Sequence, residues 1–149
     1  MKITISGLLD AKGREVWSVS PNSSAYEALV LMADKGIGAL VVVEGGKPVG
    51  IFSERDYARK VILKGKSSRE TSVAEIMSQP VCCVHPGTNI GECMTLMTEM
   101  RIRHLPVVDN DKLVGIVSIG DVVKTIISEQ ESMIHELEGY VDDALKKKS

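Results

Sequence analysis

An internal repeat constrains the fold of this chain more than any other feature of its sequence. When the 149-residue sequence is shifted by 65 positions, residues 16–63 align with residues 81–128 without a gap, and about a third of the columns are identical. Self-similarity on this scale indicates two copies of one supersecondary unit. The prediction divides the chain into an N-terminal segment (1–15), repeat 1 (16–63), a linker (64–72), repeat 2 (73–128) and a C-terminal tail (129–149).

Each repeat begins with the signals of a short strand followed by a helix. In repeat 1, Val16 and Val19 suggest a strand that Pro21 ends, because proline cannot donate to a β-ladder. Ser24 is a helix N-cap signal, and Gly36 marks the end of the helix. Repeat 2 carries the same pattern 65 positions later.

The second half of each repeat predicts a hairpin and another helix. In repeat 1, the apolar runs 39–43 and 49–52 flank a glycine-containing turn, and Ser53 begins the helix that follows. Runs this continuously apolar indicate a sheet that is covered on both faces. The sequence therefore predicts a mixed α/β (α+β) fold in which two pseudo-symmetric β-α-β-β-α repeats pack sheet to sheet.

Composition and charge exclude several classes of function. The formal net charge of −2 and the 3% of aromatic residues argue against a nucleic-acid-binding surface. The longest apolar run is too short to span a membrane, and Asp10 interrupts the N-terminal segment too early for a signal peptide. The three cysteines form no C-x-x-C pair, so the sequence indicates neither a disulfide framework nor a zinc site. We expect a cytoplasmic protein with no metal and with no nucleic-acid or membrane partner.

The sequence also offers no catalytic constellation. No Ser, His and Asp residues occur at the spacing of a known triad. The glycines at 36 and 38 follow a predicted helix and precede a predicted strand, whereas a dinucleotide fingerprint requires the opposite order. We therefore expect that the chain is not an enzyme.

The segment Gly-Ile-x-Ser-x-x-Asp recurs at residues 50–56 and 115–121, where a strand gives way to a helix. A Ser followed three residues later by Asp is a helix capping box, which needs no ligand. The same place also suits a nucleotide, because the amides of a helix N-terminus attract phosphate and the Asp can accept hydrogen bonds from ribose hydroxyls. Gly50 and Gly115 would let such a ligand approach the backbone. The residues alone leave both interpretations open.

Residues 16–128 resemble a tandem pair of cystathionine-β-synthase (CBS) domains, also called a Bateman module. The resemblance depends on the 65-residue repeat, on both Gly-Ile-x-Ser-x-x-Asp segments and on the segment Arg-His-Leu-Pro-Val-Val at 103–108. It implies a regulatory module whose cleft between the repeats binds adenosine-containing ligands. In the family pattern the motif Asp holds the ribose hydroxyls, the motif Ser faces ribose or phosphate, and basic residues before the second strand reach the phosphates. Carried over by position, the candidate ligand-binding residues are Ser53, Arg55, Asp56, Arg103, His104, Ser118 and Asp121, together with Gly38 and Ala39 at the repeat-1 positions that match Arg103 and His104.

The two repeats differ at the positions expected to contact phosphate. Repeat 1 has Gly38 and Ala39 where repeat 2 has Arg103 and His104, and Arg55 is matched by a glycine. We therefore expect one principal site, which combines the Asp of repeat 1 with the basic residues of repeat 2. We expect the site at Asp121 to be weak, empty or filled by a different nucleotide. A few positive groups match a monophosphate or a dinucleotide, so AMP and NAD(H) rank above ATP and S-adenosylmethionine as ligands.

The tail suggests a helix that continues from repeat 2. Ile126, Met133, Leu137 and Tyr140 lie near a 3.5-residue spacing, which predicts an apolar stripe. The stripe either packs on its own module or crosses to a second protomer or to a regulated partner. We expect a homodimer that signals to a separate, unidentified protein. The alternative function is a ligand-free dimerisation or scaffold module.

Overall fold

Residues 3–79 and 81–148 are described by the computed structural model. The ends of the predicted N-terminal segment and tail, residues 1–2 and 149, lie outside them. The helices are α1 (Ile5–Lys12), α2 (Ala25–Lys35), α3 (Glu54–Tyr57), α4 (Val73–Ile76), α5 (Ile90–Met100) and α6 (Ile119–Lys148). A π-helical turn, Ala58–Ile62, continues α3. The strands are β1 (Ser18–Val19), β2 (Ala39–Glu44), β3 (Lys47–Ser53), β4 (His104–Asp109) and β5 (Lys112–Ser118).

The strands form two small sheets that contain equivalent hairpins. In the first sheet β1 runs parallel to β2, and β2 is antiparallel to β3. The second sheet consists of the antiparallel pair β4 and β5, and a single parallel bridge between Val84 and Val107 replaces its third strand. Both hairpins turn through two residues with positive φ, 58° and 79° at residues 45–46 and 50° and 64° at residues 110–111. This is the geometry of a type I′ turn. The fold class is mixed α/β, which confirms the prediction.

Each repeat contributes a helix to the core of the other. The core of repeat 2 includes three buried residues of α1, namely Ile5, Leu8 and Leu9. The core of repeat 1 includes Val73 and Ile76 of α4, which lies at the start of the range predicted for repeat 2. Each core is therefore completed by a helix from the other half of the chain, which joins the two repeats through shared packing.

Helices α1 and α4 are structurally equivalent, although the ungapped alignment does not pair them. The amide of Ile5 donates to the Thr88 carbonyl at 2.8 Å, and the amide of Val73 donates to the Ser23 carbonyl at the same distance. Ser23 and Thr88 are 65 residues apart, whereas Ile5 and Val73 are 68 apart. The repeat therefore begins before residue 16, with a three-residue difference in length between the two copies.

Gly50 and Gly115 provide space for these helices and not for a ligand, contrary to the expectation from the sequence. A Cβ at Gly50 would lie 2.7 Å from the sulfur of Met77 and 3.1 Å from the Ser78 carbonyl oxygen. A Cβ at Gly115 would lie 2.8 Å from a methyl carbon of Leu9. Neither glycine lines the clefts described below.

The tail extends α6 beyond the body of the protein. Val122 is fully buried and Ile126 packs against the core of repeat 2, but residues 130–146 are all exposed. The tail therefore does not fold back on its own module. Among residues 3–79 and 81–148, no helix has both the length and the hydropathy needed to cross a bilayer.

Candidate functional site

Two clefts of similar size lie where the repeats meet. We name them the Asp56 cleft and the Asp121 cleft after the motif carboxylate that lines each one. Their volumes are about 550 Å³ and 530 Å³, respectively. Gly38 and His104 line both clefts, so these two residues form the wall between them.

The structure separates the predicted site residues into these two clefts. The Asp56 cleft contains Ser53, Arg55, Asp56, Arg103 and His104, so it combines the motif of repeat 1 with the basic residues of repeat 2. The Asp121 cleft contains Ser118 and Asp121 of the second motif. It also contains Gly38 and Ala39, the Gly-Ala pair of repeat 1. Their spatial grouping matches the sequence analysis, and their role in ligand binding stays a prediction.

Both motifs form the capping box that their spacing predicts. At the start of α3, the amide of Asp56 donates to Ser53 Oγ at 3.1 Å, and the amide of Ser53 donates to Asp56 Oδ2 at 3.1 Å. The equivalent pair at the start of α6 joins Asp121 to Ser118 at 3.1 Å and 2.9 Å. Capping thus explains why both helices begin at these residues. It does not use all the acceptor capacity of either carboxylate.

Two further contacts of Asp56 come from the segment that follows α4 and from the π-helical turn that continues α3. Ser78 Oγ donates to Asp56 Oδ1 at 2.9 Å, and Lys60 Nζ lies 3.4 Å from the same oxygen. Lys60 makes its closer contact with the Ile76 carbonyl oxygen, at 3.1 Å. The ammonium is therefore an ion-pair neighbour of Asp56, whereas the neutral Ser78 hydroxyl is its hydrogen-bond partner.

Asp121 instead has a lysine as its partner. Lys12 Nζ, at the end of α1, lies 2.6 Å from Asp121 Oδ2. Burial would raise the pKa of Asp121, but the hydrogen bonds from Lys12 and from the Ser118 backbone outweigh that effect and lower the pKa below its ordinary value. Asp121 is therefore held as a carboxylate by a fixed cation.

The charges around the two clefts differ more than their shapes. Five cationic and two acidic side chains line the Asp56 cleft, an excess of three positive charges. Two cationic and two acidic side chains line the Asp121 cleft, which leaves no excess. The cations of the Asp56 cleft are Arg55, Arg59, Lys60, Arg101 and Arg103, and its acids are Glu54 and Asp56. Only this cleft has the electrostatic character of a phosphate site.

Arg101 reaches the Asp56 cleft from a strained backbone conformation. It ends α5 at φ 55° and ψ 41°, in the left-handed region, whereas Gly36 ends the equivalent helix α2 with similar angles. A non-glycine residue in this region costs roughly 1–2 kcal/mol. Repeat 2 therefore has a side chain at a position where glycine is the more stable choice.

His104 is neutral at pH 7 in this environment. Burial lowers its pKa below the ordinary value of 6.5, and the nearby Lys12 and Arg103 lower it further, while Asp121 and Asp56 act in the opposite direction. A neutral imidazole can donate one hydrogen bond, and a bound phosphate would favour its protonated form.

Several polar residues of the clefts are not identified from the sequence. Ser78 reaches its motif carboxylate from the segment after α4, and Lys12 reaches the other from the end of α1, so the role of both depends on the exchange of helices between the repeats. Arg59 and Lys60 could have been found, because they lie four residues after Arg55 and Asp56, and this spacing places them on the same side of a helix.

The described residues include no metal-binding cluster, and the buried thiol of Cys93 is not activated. They contain no group of three or more His, Cys, Asp or Glu side chains that could hold a metal ion. Cys93 is fully buried on α5, and burial is the largest cause that raises its pKa, to about 11. At neutral pH its thiol therefore stays protonated and unreactive.

Comparisons with known proteins agree with this architecture. The family model of the CBS domain matches residues 10–63 and again residues 73–128. The CBS domain-containing protein CBSX3, mitochondrial, of Arabidopsis thaliana is 38% identical over 148 residues, which cover 93% of this chain and 71% of the relative. The chain therefore belongs to the CBS-domain family, whose domain pairs are regulatory rather than catalytic modules.

Two solved structures show the same fold. A protein with CBS domains from Burkholderia ambifaria MC40-6 has a TM-score of 0.80 and 51% identity, over 86% of this chain and 96% of the other. The CBS domain pair of protein MJ0100 has a TM-score of 0.76 and 25% identity, over 87% of this chain and 99% of the other. That structure is a complex with 5′-methylthioadenosine and S-adenosyl-L-methionine.

Proposed function

We propose that this protein is a non-catalytic sensor that binds an adenosine-containing nucleotide in the Asp56 cleft. The observation that carries the proposal is the grouping in one cleft of a motif carboxylate with an excess of three positive charges. A carboxylate suits the paired hydroxyls of a ribose, and the cations suit the phosphates. The complex of the MJ0100 domain pair supports the adenosine part of the ligand.

Ribose binding at Asp56 requires the exchange of one neutral hydrogen bond. The Ser78 hydroxyl donates to Asp56 Oδ1, and a ribose hydroxyl can take its place while the Ser78 hydroxyl turns to another acceptor. The amide of Ser78 keeps its own bond to the Ile51 carbonyl at 2.8 Å. The exchange therefore leaves the backbone contact between Ser78, just after α4, and β3 intact.

Charge favours phosphate-bearing ligands over the two ligands of the MJ0100 complex. Methylthioadenosine has no phosphate, and S-adenosylmethionine carries a positive sulfonium, so neither compensates the positive charge of the Asp56 cleft. We therefore propose AMP or NAD(H) as the ligand, with ATP and S-adenosylmethionine as weaker ones. Binding can act on a downstream protein only through a difference in affinity between two arrangements of the repeats.

The test is a titration of the wild-type chain with AMP, NADH, ATP, S-adenosylmethionine and adenosine. The variant Arg103→Gly, which introduces the residue found in repeat 1, should bind AMP about tenfold more weakly and adenosine equally well, because it removes only a phosphate contact. Arg14→Gly removes a cation that lines neither cleft and serves as the control. The absence of binding by all five ligands would contradict the proposal.

A second proposal concerns assembly. The exposed part of α6 presents Met133, Ile134, Leu137, Tyr140 and Val141, each at least 54% exposed. Their spacing of three and four residues forms a stripe that suits a second copy of the same helix. We propose that the protein forms a homodimer through this stripe. We also propose that the protein is cytoplasmic. Leu137→Asp should shift the molar mass measured by light scattering from dimer to monomer, and a monomeric wild type would contradict the proposal.

The scaffold alternative differs from the sensor in one measurable respect. A ligand-free dimerisation module would keep the same melting temperature in the presence of all five ligands, because only a ligand that binds the native state stabilises it. The sensor should instead gain stability that grows with AMP concentration and is lost in Asp56→Asn.

A further inference from the structure

Lys12, the last residue of α1, forms an ion pair with Asp121, the motif carboxylate of the Asp121 cleft. Its ammonium lies 2.6 Å from Asp121 Oδ2 and 2.7 Å from the carbonyl oxygen of Ile116. Both distances are typical of charge-assisted hydrogen bonds, which are roughly twice as strong as neutral ones. Lys12 lines the cleft, and its side chain is 34% exposed. A ligand in the cleft would therefore meet this side chain.

The equivalent contacts in the Asp56 cleft come from a single serine. The amide of Ser78 donates to the Ile51 carbonyl at 2.8 Å, and its hydroxyl donates to Asp56 Oδ1 at 2.9 Å. Ile51 and Ile116 are equivalent residues of the two repeats. In the Asp121 cleft one ammonium therefore makes both contacts that a backbone amide and a hydroxyl make in the Asp56 cleft.

This difference makes displacement by a ribose unequal in the two clefts. At Asp56, a ribose hydroxyl replaces a neutral hydroxyl and disturbs no backbone contact. At Asp121, a ribose that takes the place of Lys12 breaks two charge-assisted bonds and replaces only the one to the carboxylate. The carbonyl of Ile116, which lines the cleft, then exchanges its charge-assisted bond for a bond to water, a loss that the ligand does not compensate.

We infer that Lys12 is an internal occupant of the Asp121 cleft that excludes an adenosine ligand from this second site, so that removal of its ammonium opens the site. The inference rests on the proposed function in one respect, the adenosine class of the ligand. The wild-type chain then binds one ligand, in the Asp56 cleft. Adenosine binding at the Asp121 cleft is up to about tenfold weaker than it would be without the ammonium.

Two other roles of Lys12 would give different results. If Lys12 instead contacts the phosphate of a ligand in the Asp121 cleft, the wild type binds two ligands and loss of the ammonium weakens the second. If Lys12 only attaches α1 to β5, its removal lowers the melting temperature and opens no second site.

The test is calorimetric titration of the wild type, Lys12→Ala and the control Arg14→Ala with adenosine, and separately with AMP. Adenosine is the probe for the Asp121 cleft, because loss of Lys12 leaves one cation and two acids along it, a balance that does not favour a phosphate. Arg14 pairs with Asp10 at 2.6 Å near the same end of α1, lines neither cleft and has the same charge as Lys12. Each variant is also titrated in an Asp56→Asn background, where the Asp121 cleft is the one motif site left intact. We expect Lys12→Ala to gain an adenosine-binding event in both backgrounds, with about a tenfold increase in adenosine affinity in the Asp56→Asn background. Arg14→Ala should gain none.

The result separates the inference from the proposed function. A gain in Lys12→Ala supports the inference even if the wild type binds no AMP, in which case only the proposed function fails. No gain in Lys12→Ala, or two binding events in the wild type, overturns the inference even if AMP binds at Asp56. If Lys12→Ala does not fold, Lys12→Met keeps the aliphatic part of the side chain and removes only the ammonium, and the same criteria apply to it.

Discussion

The Asp56 cleft and the Asp121 cleft begin from the same motif and differ in what surrounds it. Both carboxylates cap a helix, with nearly identical distances to their serines. Asp56 is hydrogen-bonded to a neutral hydroxyl within a positively charged cleft, with the Lys60 ammonium 3.4 Å away. Asp121 is hydrogen-bonded directly to an ammonium within an electrically balanced cleft. The same motif therefore has different hydrogen-bond partners in the two clefts, and residues outside the motif determine whether its carboxylate is bound by a hydroxyl or by an ammonium.

The largest expected effect is an unequal response to loss of the two carboxylates. Asp56→Asn should lower AMP affinity about ten- to a hundredfold, because it removes hydrogen bonds to a charged group that are worth about 1.5–3 kcal/mol. Asp121→Asn should change the affinity by less than about threefold. Titration calorimetry gives the affinities, and melting temperatures show whether each variant folds.

Asp121→Asn is the matched control for Asp56→Asn, because both changes alter a capping box in the same way. Equal losses of affinity in the two variants would contradict the distinction between the clefts. A loss of stability in Asp56→Asn with unchanged AMP affinity would show that Asp56 caps α3 and does not bind the ligand.

The glycines beside the clefts should also respond unequally. Gly50→Ala places a methyl group against a backbone carbonyl oxygen as well as a methionine sulfur, whereas Gly115→Ala meets only the movable end of Leu9. We expect about 2 kcal/mol of destabilisation for Gly50→Ala and roughly half of that for Gly115→Ala. The corresponding decrease in melting temperature is about 4–8 °C for the first variant. Differential scanning calorimetry checks the order, and a larger decrease for Gly115→Ala would contradict it.

Substitutions of Arg101 test whether this residue lowers the stability of the chain while it adds positive charge to the Asp56 cleft. Arg101→Gly should stabilise the chain by about 1 kcal/mol, because glycine adopts the left-handed conformation without strain, and should weaken AMP binding severalfold. Arg101→Ala removes the same cation but keeps the strain, so it should weaken AMP binding equally without any gain in stability. Denaturant unfolding measures the difference, which should be absent if Arg101 is not strained.

The smallest expected effect is a pH dependence of stability that arises from His104, in the wall between the clefts. Burial holds the pKa of His104 below 6.5, so the unfolded chain binds more protons than the folded one between the two pKa values. The contribution of His104 to stability is therefore fully present above about pH 6.5 and is lost as the pH falls towards its folded pKa.

His104→Ala, which introduces the residue that repeat 1 has at this position, should lose this part of the pH dependence. NMR titration of the His104 imidazole gives its pKa directly. AMP should raise that pKa, because a phosphate favours the imidazolium. A pKa at or above 6.5 in the ligand-free chain would contradict the described environment of His104.

Much of the fold follows from local sequence signals. The hairpin turns, the capping boxes of α3 and α6, and the C-terminal glycine of α2 depend on a few neighbouring residues, so the sequence predicts them directly. The pairing of Asp56 with Arg103 and His104 could also be predicted, because two equivalent repeats related by pseudo-symmetry bring these positions together.

The exchange of α1 and α4 could not be predicted in this way. These helices match at a shift of 68 residues, which an ungapped comparison at 65 does not detect. Their packing partners are also distant in sequence, so no local signal shows which core they complete. Lys12 and Ser78 act at the motif carboxylates only because of this exchange, and so they could be identified only from the structure.

The most direct test of the account is a crystal structure of the wild-type chain with saturating AMP. We expect one nucleotide per chain, in the Asp56 cleft, with its ribose hydroxyls within hydrogen-bond distance of Asp56 and its phosphate beside Arg103. Lys12 should remain bound to Asp121. A nucleotide in the Asp121 cleft with Lys12 displaced, or an Asp56 cleft that stays empty at saturation, would contradict the account.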